Sequence, residues 1–235
     1  MSLQRFHLPF DVPLLPVKML SAGSLKCIYE NGNLRYVYLG DREVVRMIYS
    51  AVRDENWETV SYVISDEVIE AGEGSFTIKY NSFYQLNQIR YKAAFEIIGK
   101  DNTISFSMKG EALDCFQTNR IGICVHHPVP ECAGKKVLIK QKAVNAEVAR
   151  SSLVRSEEAE LGEVESSYAG TFPILVSPHQ PFKKVQQMQW LIEDGVDAQL
   201  TFEGDVFETE DQRNWTDASY KTYSRPLELP FPVWV

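Results

Sequence analysis

The stretch from Phe202 to Pro226 is the densest in groups able to do chemistry. Asp211, Gln212, Arg213, Asn214, Trp215, Asp217 and Lys221 follow one another closely there. Carboxylates and amides exchange hydrogen bonds with hydroxyls. An arginine grips a carboxylate with two parallel bonds, and an indole offers an apolar face to ring C–H groups. That mixture suits a small-molecule sugar or sugar acid. A second set lies far upstream: Arg46, then Arg53, Asp54, Glu55, Asn56 and Trp57. Both sets combine Arg, a carboxylate, Asn and Trp. Arg53, Trp57, Arg213 and Trp215 are therefore expected to face one another across a single cleft, with Arg46, Asn214, Asp217 and Lys221 as further substrate contacts. The competing reading of each set is a solvated loop knit by its own ion pairs, which stabilise little at a surface.

Proton transfer needs a titratable group near the ligand. Asp211 and His127 are the expected general bases, acting on water or a ring hydroxyl. His126 and His127 are the only adjacent histidines. In a strand their rings point to opposite faces: His127 shares its face with Ile121, Ile123 and Val125, and His126 with Gly122 and Cys124. A structural histidine is the competing reading for either ring. Cys124, His126 and Cys132 match no standard zinc spacing and lack a fourth ligand, so no metal is expected, and no cofactor. There is no Gly-x-Ser-x-Gly elbow, phosphate loop, dinucleotide fingerprint or His-Glu-x-x-His. Glu203, Asp205, Glu208 and Glu210 do not fit a calcium loop.

The elements that must position these groups repeat with period two. Ile89, Tyr91, Ala93, Phe95 and Ile97 alternate with Arg90, Lys92, Ala94 and Glu96; Ile104, Phe106 and Met108 alternate with Ser105, Ser107 and Lys109. Gly99, Lys100, Asp101 and Asn102 make a polar turn between them, which is a hairpin signal. Further strands are expected at 34–39, 43–49, 59–64, 76–80, 121–127, 136–140, 185–192 and 198–202. Turns are expected at Asn31-Gly32-Asn33 and Glu193-Asp194-Gly195. Residues 144–155 read as a helix or a loop, and 157–167 as a solvated loop. Many short strands with little helix predict an all-β protein of two large packed antiparallel sheets.

The chain has 235 residues, 44% hydrophobic and 24% charged, which are globular values. One domain over 1–235 is expected, with 1–24 an irregular arm and 227–235 an apolar tail. A net charge of -8 removes the basic footprint of nucleic-acid binding, so no nucleic-acid partner is expected. No apolar run is long enough for a transmembrane helix, so no membrane partner is expected either. The start carries Arg5 but also Pro9, Pro13 and Pro16, and does not read as a secretory leader. Cys27, Cys115, Cys124 and Cys132 form no Cys-x-x-Cys pair and are expected to be free thiols in a cytoplasmic protein.

Residues 208–226, which begin Glu-Thr-Glu-Asp-Gln-Arg-Asn-Trp and lead into Leu-Glu-Leu-Pro-Phe-Pro, resemble the N-terminal region of the D-apionate lactonase family. Residues 43–57 look like an earlier signature of that family. Residues 120–128 with Cys132-Ala-Gly-Lys, and Phe172-Pro with Gln180-Pro-Phe, fit it too. The resemblance implies a galactose-mutarotase-like supersandwich and hydrolysis of the lactone of a branched sugar acid. It also implies a barrel-like domain beyond Pro-Phe-Pro, so the 227–235 tail could meet a second catalytic domain or chain. Two functions stay open at this point. One is an enzyme, either a sugar-acid lactonase or an aldose-epimerase-like protein. The other is a non-catalytic carbohydrate-binding or scaffold domain that serves a partner. The enzyme predicts a concave pocket with a base in it, and the scaffold predicts a shallow groove or an apolar patch.

Overall fold

The computed structural model describes residues 16–141, 166–215 and 217–235. The segments expected to be helix or loop at 144–155, and most of 157–167, lie outside the described residues. The strands follow in chain order: β1 Val17–Ala22, β2 Leu25–Glu30, β3 Asn33–Leu39, β4 Arg42–Asp54, β5 Tyr62–Gly72, β6 Ser75–Leu86, β7 Ile89–Lys100 and β8 Thr103–Ala112. Then come β9 Gln117–Pro128, β10 Lys136–Gln141, β11 Ser166–Thr171, β12 Phe182–Glu193, β13 Val196–Thr201, β14 Phe207–Asp211, β15 Ser219–Ser224 and β16 Val233–Trp234. One helical turn spans Val129–Cys132, and a 3-10 turn spans Gln212–Asn214. No helix among the described residues is long and apolar enough to cross a membrane.

The strands form two antiparallel sheets, divided twelve to four. The larger has the order β1-β2-β3-β4-β9-β15-β14-β12-β10-β11, with β13 on β12 and β16 on β9; the smaller is β5-β6-β7-β8. The period-two reading is borne out most clearly in β7, where every odd residue from Ile89 to Gly99 is buried and its neighbours are not. One face packs on the core and the other meets water, so a slip of one residue would expose the whole apolar set. The expected β7–β8 hairpin forms with Lys100 opposite Thr103, and Asp101 and Asn102 at φ 50° and 60°. Those left-handed angles suit the twist of a two-residue hairpin turn. Asn31 and Gly32 make a turn of the same kind between β2 and β3.

Three expectations shift. The arm expected to be irregular through residue 24 is already strand β1 at Val17, paired along β2. The strand expected at 59–64 begins at Tyr62 and runs to Gly72 as an exposed edge. Thr59 instead bridges Arg53, closing the loop after β4. The charged segment, for which no strand was expected and a solvated loop was the competing reading, contains β14 and β15, and all six residues of β15 are buried. Both faces of β15 are covered, so no alternation marks it in the sequence. The 227–235 tail packs on this domain: β16 pairs with Thr118 and Gln117, and Val235 exchanges two backbone bonds with Phe116.

One main core draws on both sheets, from Leu34, Ile48 and Val52 to Ile78, Phe95 and Ile97. A separate small cluster of Ala51, Cys124 and Tyr223, with Tyr49 against it, spans β4, β9 and β15. It covers the face of these strands opposite to core residues Val52 and Val125. The floor of the candidate site is built on this second face.

Candidate functional site

Strands β4, β9, β15 and β14 lie side by side, and their registers align functional groups in rows. Tyr49 stands opposite Cys124, which stands opposite Tyr223. His126 stands opposite Lys221, which stands opposite Glu210. Arg53 stands opposite Arg120. Directly paired residues share a face, so these rows all project to the side away from the main core. They wall a cavity of about 510 Å³ lined by Tyr49, Arg53, Arg120, Glu210, Gln212 and Lys221, with Trp57, Trp215 and Leu227 at its sides.

The loop after β4 is set by Asp54. Its buried carboxylate accepts the backbone N–H groups of Asn56 at 2.9 Å and Glu58 at 2.7 Å. This holds Trp57 at φ 70°, a strained angle for a bulky residue. Nη1 of Arg53 donates to the Trp57 carbonyl at 3.0 Å, and the Asn119 amide donates to the Glu55 carbonyl at 3.0 Å. The aromatic wall and the cationic strand end are thus tied together.

The cavity carries an excess of positive charge. Lys221 Nζ sits 2.5 Å from Glu210 Oε1, and the Gln212 amide donates to the same oxygen at 2.6 Å. Arg120 is 7% exposed, and its Nε has no hydrogen-bond partner. Its guanidinium carbon lies 3.8 Å from the centre of the Tyr223 ring and 5.2 Å from that of Trp57. Aromatic faces hold a cation there by their quadrupoles. Among the described residues neither Arg53 nor Arg120 has a carboxylate partner. A buried cation without a counter-charge is costly, and an anion entering the cavity would relieve that cost.

Behind the Tyr49 wall, His126 Nδ1 lies 3.1 Å from Asp217 Oδ2 and 3.1 Å from Ser219 Oγ. Its Nε2 lies 3.4 Å from Tyr49 Oη. Burial lowers the His126 pKa to about 4; nearby Asp217 opposes the shift and Lys221 adds to it. Burial likewise raises the Tyr49 hydroxyl and the Cys124 thiol, so both stay protonated at neutral pH.

Of the residues expected from sequence, Arg53, Trp57, Trp215 and Lys221 line the cavity. The rest lie elsewhere, each for a stated reason. His127 is fully buried on the core face, where its Nε2 lies 2.8 Å from Thr222 Oγ1 and its ring packs on Phe172 and Trp190. Burial lowers its pKa to about 3, so it is a neutral core residue and not the base of this cavity. Asp211 points to that same side, and its carboxylate is clamped by Arg213 at 2.9 and 2.7 Å. It also accepts the N–H groups of Ser177 and Arg213. Burial pushes the Asp211 carboxyl up, but the Arg213 and backbone hydrogen bonds hold it below the usual carboxylate range. A carboxylate so stabilised is a poor base.

Arg213 spends its remaining donors on the carbonyls of Pro173, Ile174 and Leu175. It therefore clamps a loop where it was expected to grip a substrate carboxylate. Asn214 joins the clamp by donating to the Ser177 and Asp211 carbonyls. Arg46 is taken up by Glu43, at 2.5 and 3.0 Å. Asp217 does not line the cavity; it contacts His126, which in turn meets Tyr49 of the cavity wall. Tyr49, Arg120 and Glu210 were missed. The available signal for Arg120 was face parity: it alternates with Ile121 and Ile123, as Cys124 and His126 do. Among the described residues no group of three or more His, Cys, Asp or Glu is placed to hold a metal.

The fold and site together define a two-sheet β domain with a cation-lined, aromatic-walled cavity on the outer face of its larger sheet. The family model of the D-apionate lactonase N-terminal domain matches residues 9–156 and 151–235, and the chain belongs to that family. A D-apionate lactonase of Brucella anthropi is 33% identical over 216 residues, which cover 91% of this chain and 32% of that protein. The chain thus spans about a third of that relative's length.

Proposed function

We propose that the outer-face cavity binds the lactone of a sugar acid and that this chain serves its hydrolysis to the open acid. The observation that carries this reading is Arg120, buried, lacking a counter-charge and facing the cavity beside Arg53. Lactone hydrolysis is a reaction in which negative charge appears. Water adds to the carbonyl carbon, the carbonyl oxygen becomes an oxyanion, the ring C–O bond breaks, and a carboxylate remains. Fixed cations aimed at that charge favour the transition state over the neutral substrate. Arg53 and Arg120 are assigned this role. The Lys221–Glu210 pair and Gln212 offer donors and an acceptor to hydroxyls, and Trp57 and Trp215 flank the ring C–H faces. Family membership supports the same chemistry.

A galactose-mutarotase-like arrangement of the sandwich is part of this reading. So is a second domain or chain over the 227–235 tail, where Phe231 and Trp234 are exposed, since exposed apolar groups mark interaction sites. Four unpaired cysteines fit a reducing, cytoplasmic compartment.

The test is Arg120→Met. Replacing a buried, unpaired cation with an apolar side chain of similar length should leave the fold intact or more stable. Aldonate binding by the purified chain should weaken by about 30- to 1000-fold, the equivalent of roughly 2–4 kcal/mol. An unchanged aldonate affinity would refute the cavity as the site.

A further inference from the structure

We infer that Tyr49 is the proton-handling residue of the cavity and that His126, oriented by Asp217, is its positioning partner. The inference rests on the lactone reading above and deepens it. Three contacts form a line from solvent to cavity: Asp217 Oδ2 to His126 Nδ1 at 3.1 Å, His126 Nε2 to Tyr49 Oη at 3.4 Å, and the Tyr49 ring in the cavity wall. The two rings meet edge-on, with centroids 5.4 Å apart and planes at 70°.

The direction of each hydrogen bond follows from chemistry. A buried neutral imidazole has one donating and one accepting nitrogen. An ionised carboxylate only accepts, so Asp217 places the imidazole proton on Nδ1. Nε2 is then left with a lone pair, which accepts the Tyr49 hydroxyl proton. The Tyr49 oxygen keeps lone pairs of its own, free to accept a further hydrogen bond. The Ser219 hydroxyl, also 3.1 Å from Nδ1, rotates to accept. The charged and titratable groups that act on the imidazole are Asp217, Lys221 from β15, Glu210 from β14 and the neighbouring His127; Arg46 of β4 acts on Asp217, and Cys124 on Tyr49. Lys221 and Glu210 pair with each other, which leaves Asp217 as the near carboxylate.

The step balances without any further reactant. A water in the cavity gives a proton to Tyr49 Oη as the Tyr49 proton passes to His126 Nε2. The water oxygen bonds to the lactone carbonyl carbon, and the carbonyl electron pair moves to oxygen beside Arg53 and Arg120. Collapse of that oxyanion breaks the ring C–O bond. The leaving alkoxide takes its proton from Tyr49, which recovers one from His126. Lactone and water become one hydroxy acid, and the relay returns to its starting state. The Asp217 carboxylate takes up no proton in this step and stabilises the transient imidazolium, as the carboxylate does in other three-member relays.

Two measurements on the full chain test the inference. In the first, nitrogen NMR of labelled protein should show His126 as the Nδ1–H tautomer, and Asp217→Asn should shift it toward Nε2–H. An Nε2–H imidazole in the wild type would have the relay pointing the wrong way and would overturn the inference. In the second, Tyr49→Phe should keep aldonate affinity within about 2-fold and lower kcat for aldonolactone hydrolysis by roughly 100- to 1000-fold, with KM unchanged. His126→Gln should lower kcat similarly and abolish the acid limb of the kcat profile, which the wild type should show near pH 4. Full hydrolysis by Tyr49→Phe, or aldonate binding with no hydrolysis by the wild type, would overturn the relay while leaving the binding site standing. Loss of aldonate recognition by the wild type would instead refute the cavity itself.

Discussion

Arg213→Ala tests whether the polar segment around β14 is framework or ligand contact. The guanidinium makes five hydrogen bonds. Nε and Nη2 hold the two oxygens of Asp211 at 2.9 and 2.7 Å, and Nη1 and Nη2 hold the carbonyls of residues 173–175 at 2.8 to 3.2 Å. The Asp211 side chain is 0% exposed. Truncating Arg213 leaves that carboxylate with two backbone N–H donors and no counter-charge. Breaking a buried pair in this way costs about 3–5 kcal/mol. At this chain length that corresponds to a Tm lower by roughly 6–20 °C. Arg213→Lys should recover only part, because one ammonium cannot bridge both carboxylate oxygens. Aldonate affinity of the folded variant should stay within about 2-fold, since Arg213 does not line the cavity. The pH dependence has a defined sign. The Asp211 carboxyl is held lower in the folded chain than in the unfolded one, so its contribution is present above roughly pH 4 and is lost as the pH falls further. The Tm gap between wild type and variant should therefore close in acid. Scanning calorimetry and aldonate titration of the same samples decide the matter. An unchanged Tm with lost binding would refute the framework role.

Three further outcomes are expected. His126 and His127 are held neutral with pKa values lowered to about 4 and about 3, so from about pH 6.5 downward the unfolded chain takes up protons the folded chain refuses; stability should fall by up to about 1.4 kcal/mol per pH unit for each imidazole, and His127→Gln should flatten the acid limb of a denaturation series. Cys115 is exposed while Cys27, Cys124 and Cys132 are buried, so a thiol reagent should count one fast thiol in the native chain and four after denaturation without reductant; fewer than four would show a disulfide. A Cβ on Gly99 would stand 2.2 Å from the Phe76 ring, which is part of the core, so Gly99→Ala should cost about 1–3 kcal/mol with aldonate binding intact; a variant as stable as wild type would show that the ring relaxes freely.

Strand identity was legible wherever one face of a strand is wet. β7 and β8 alternate because water and core select different side chains at every step. The turns at Asn31-Gly32 and Asp101-Asn102 were legible because few residues accept left-handed backbone angles. The alternation of β9 was legible too, with His127 on the side of Ile121, Ile123 and Val125, but that this side is the core, and His127 no base, was decided by the packing of Phe172 and Trp190 on its ring. β15 left no such mark, because Lys221 and Tyr223 face the cavity, Tyr220 and Thr222 face the core, and both sets are buried. Its buried polar groups are satisfied by partners distant in the chain, such as Thr222 by His127. Arg213 and Lys221 belong to one segment and carry the same charge. Only the loop at 173–177, folded against β14, determines that Arg213 is consumed internally while Lys221 reaches the cavity. The cavity itself depends on strand order. β4, β9, β15 and β14 are remote in the chain, and only their pairing sets Arg53 beside Arg120 and His126 beside Tyr49. Local side-chain patterns encode which way a residue points within its strand. Which strands become neighbours is decided by the burial energy of the whole sheet, and that choice brings the site together.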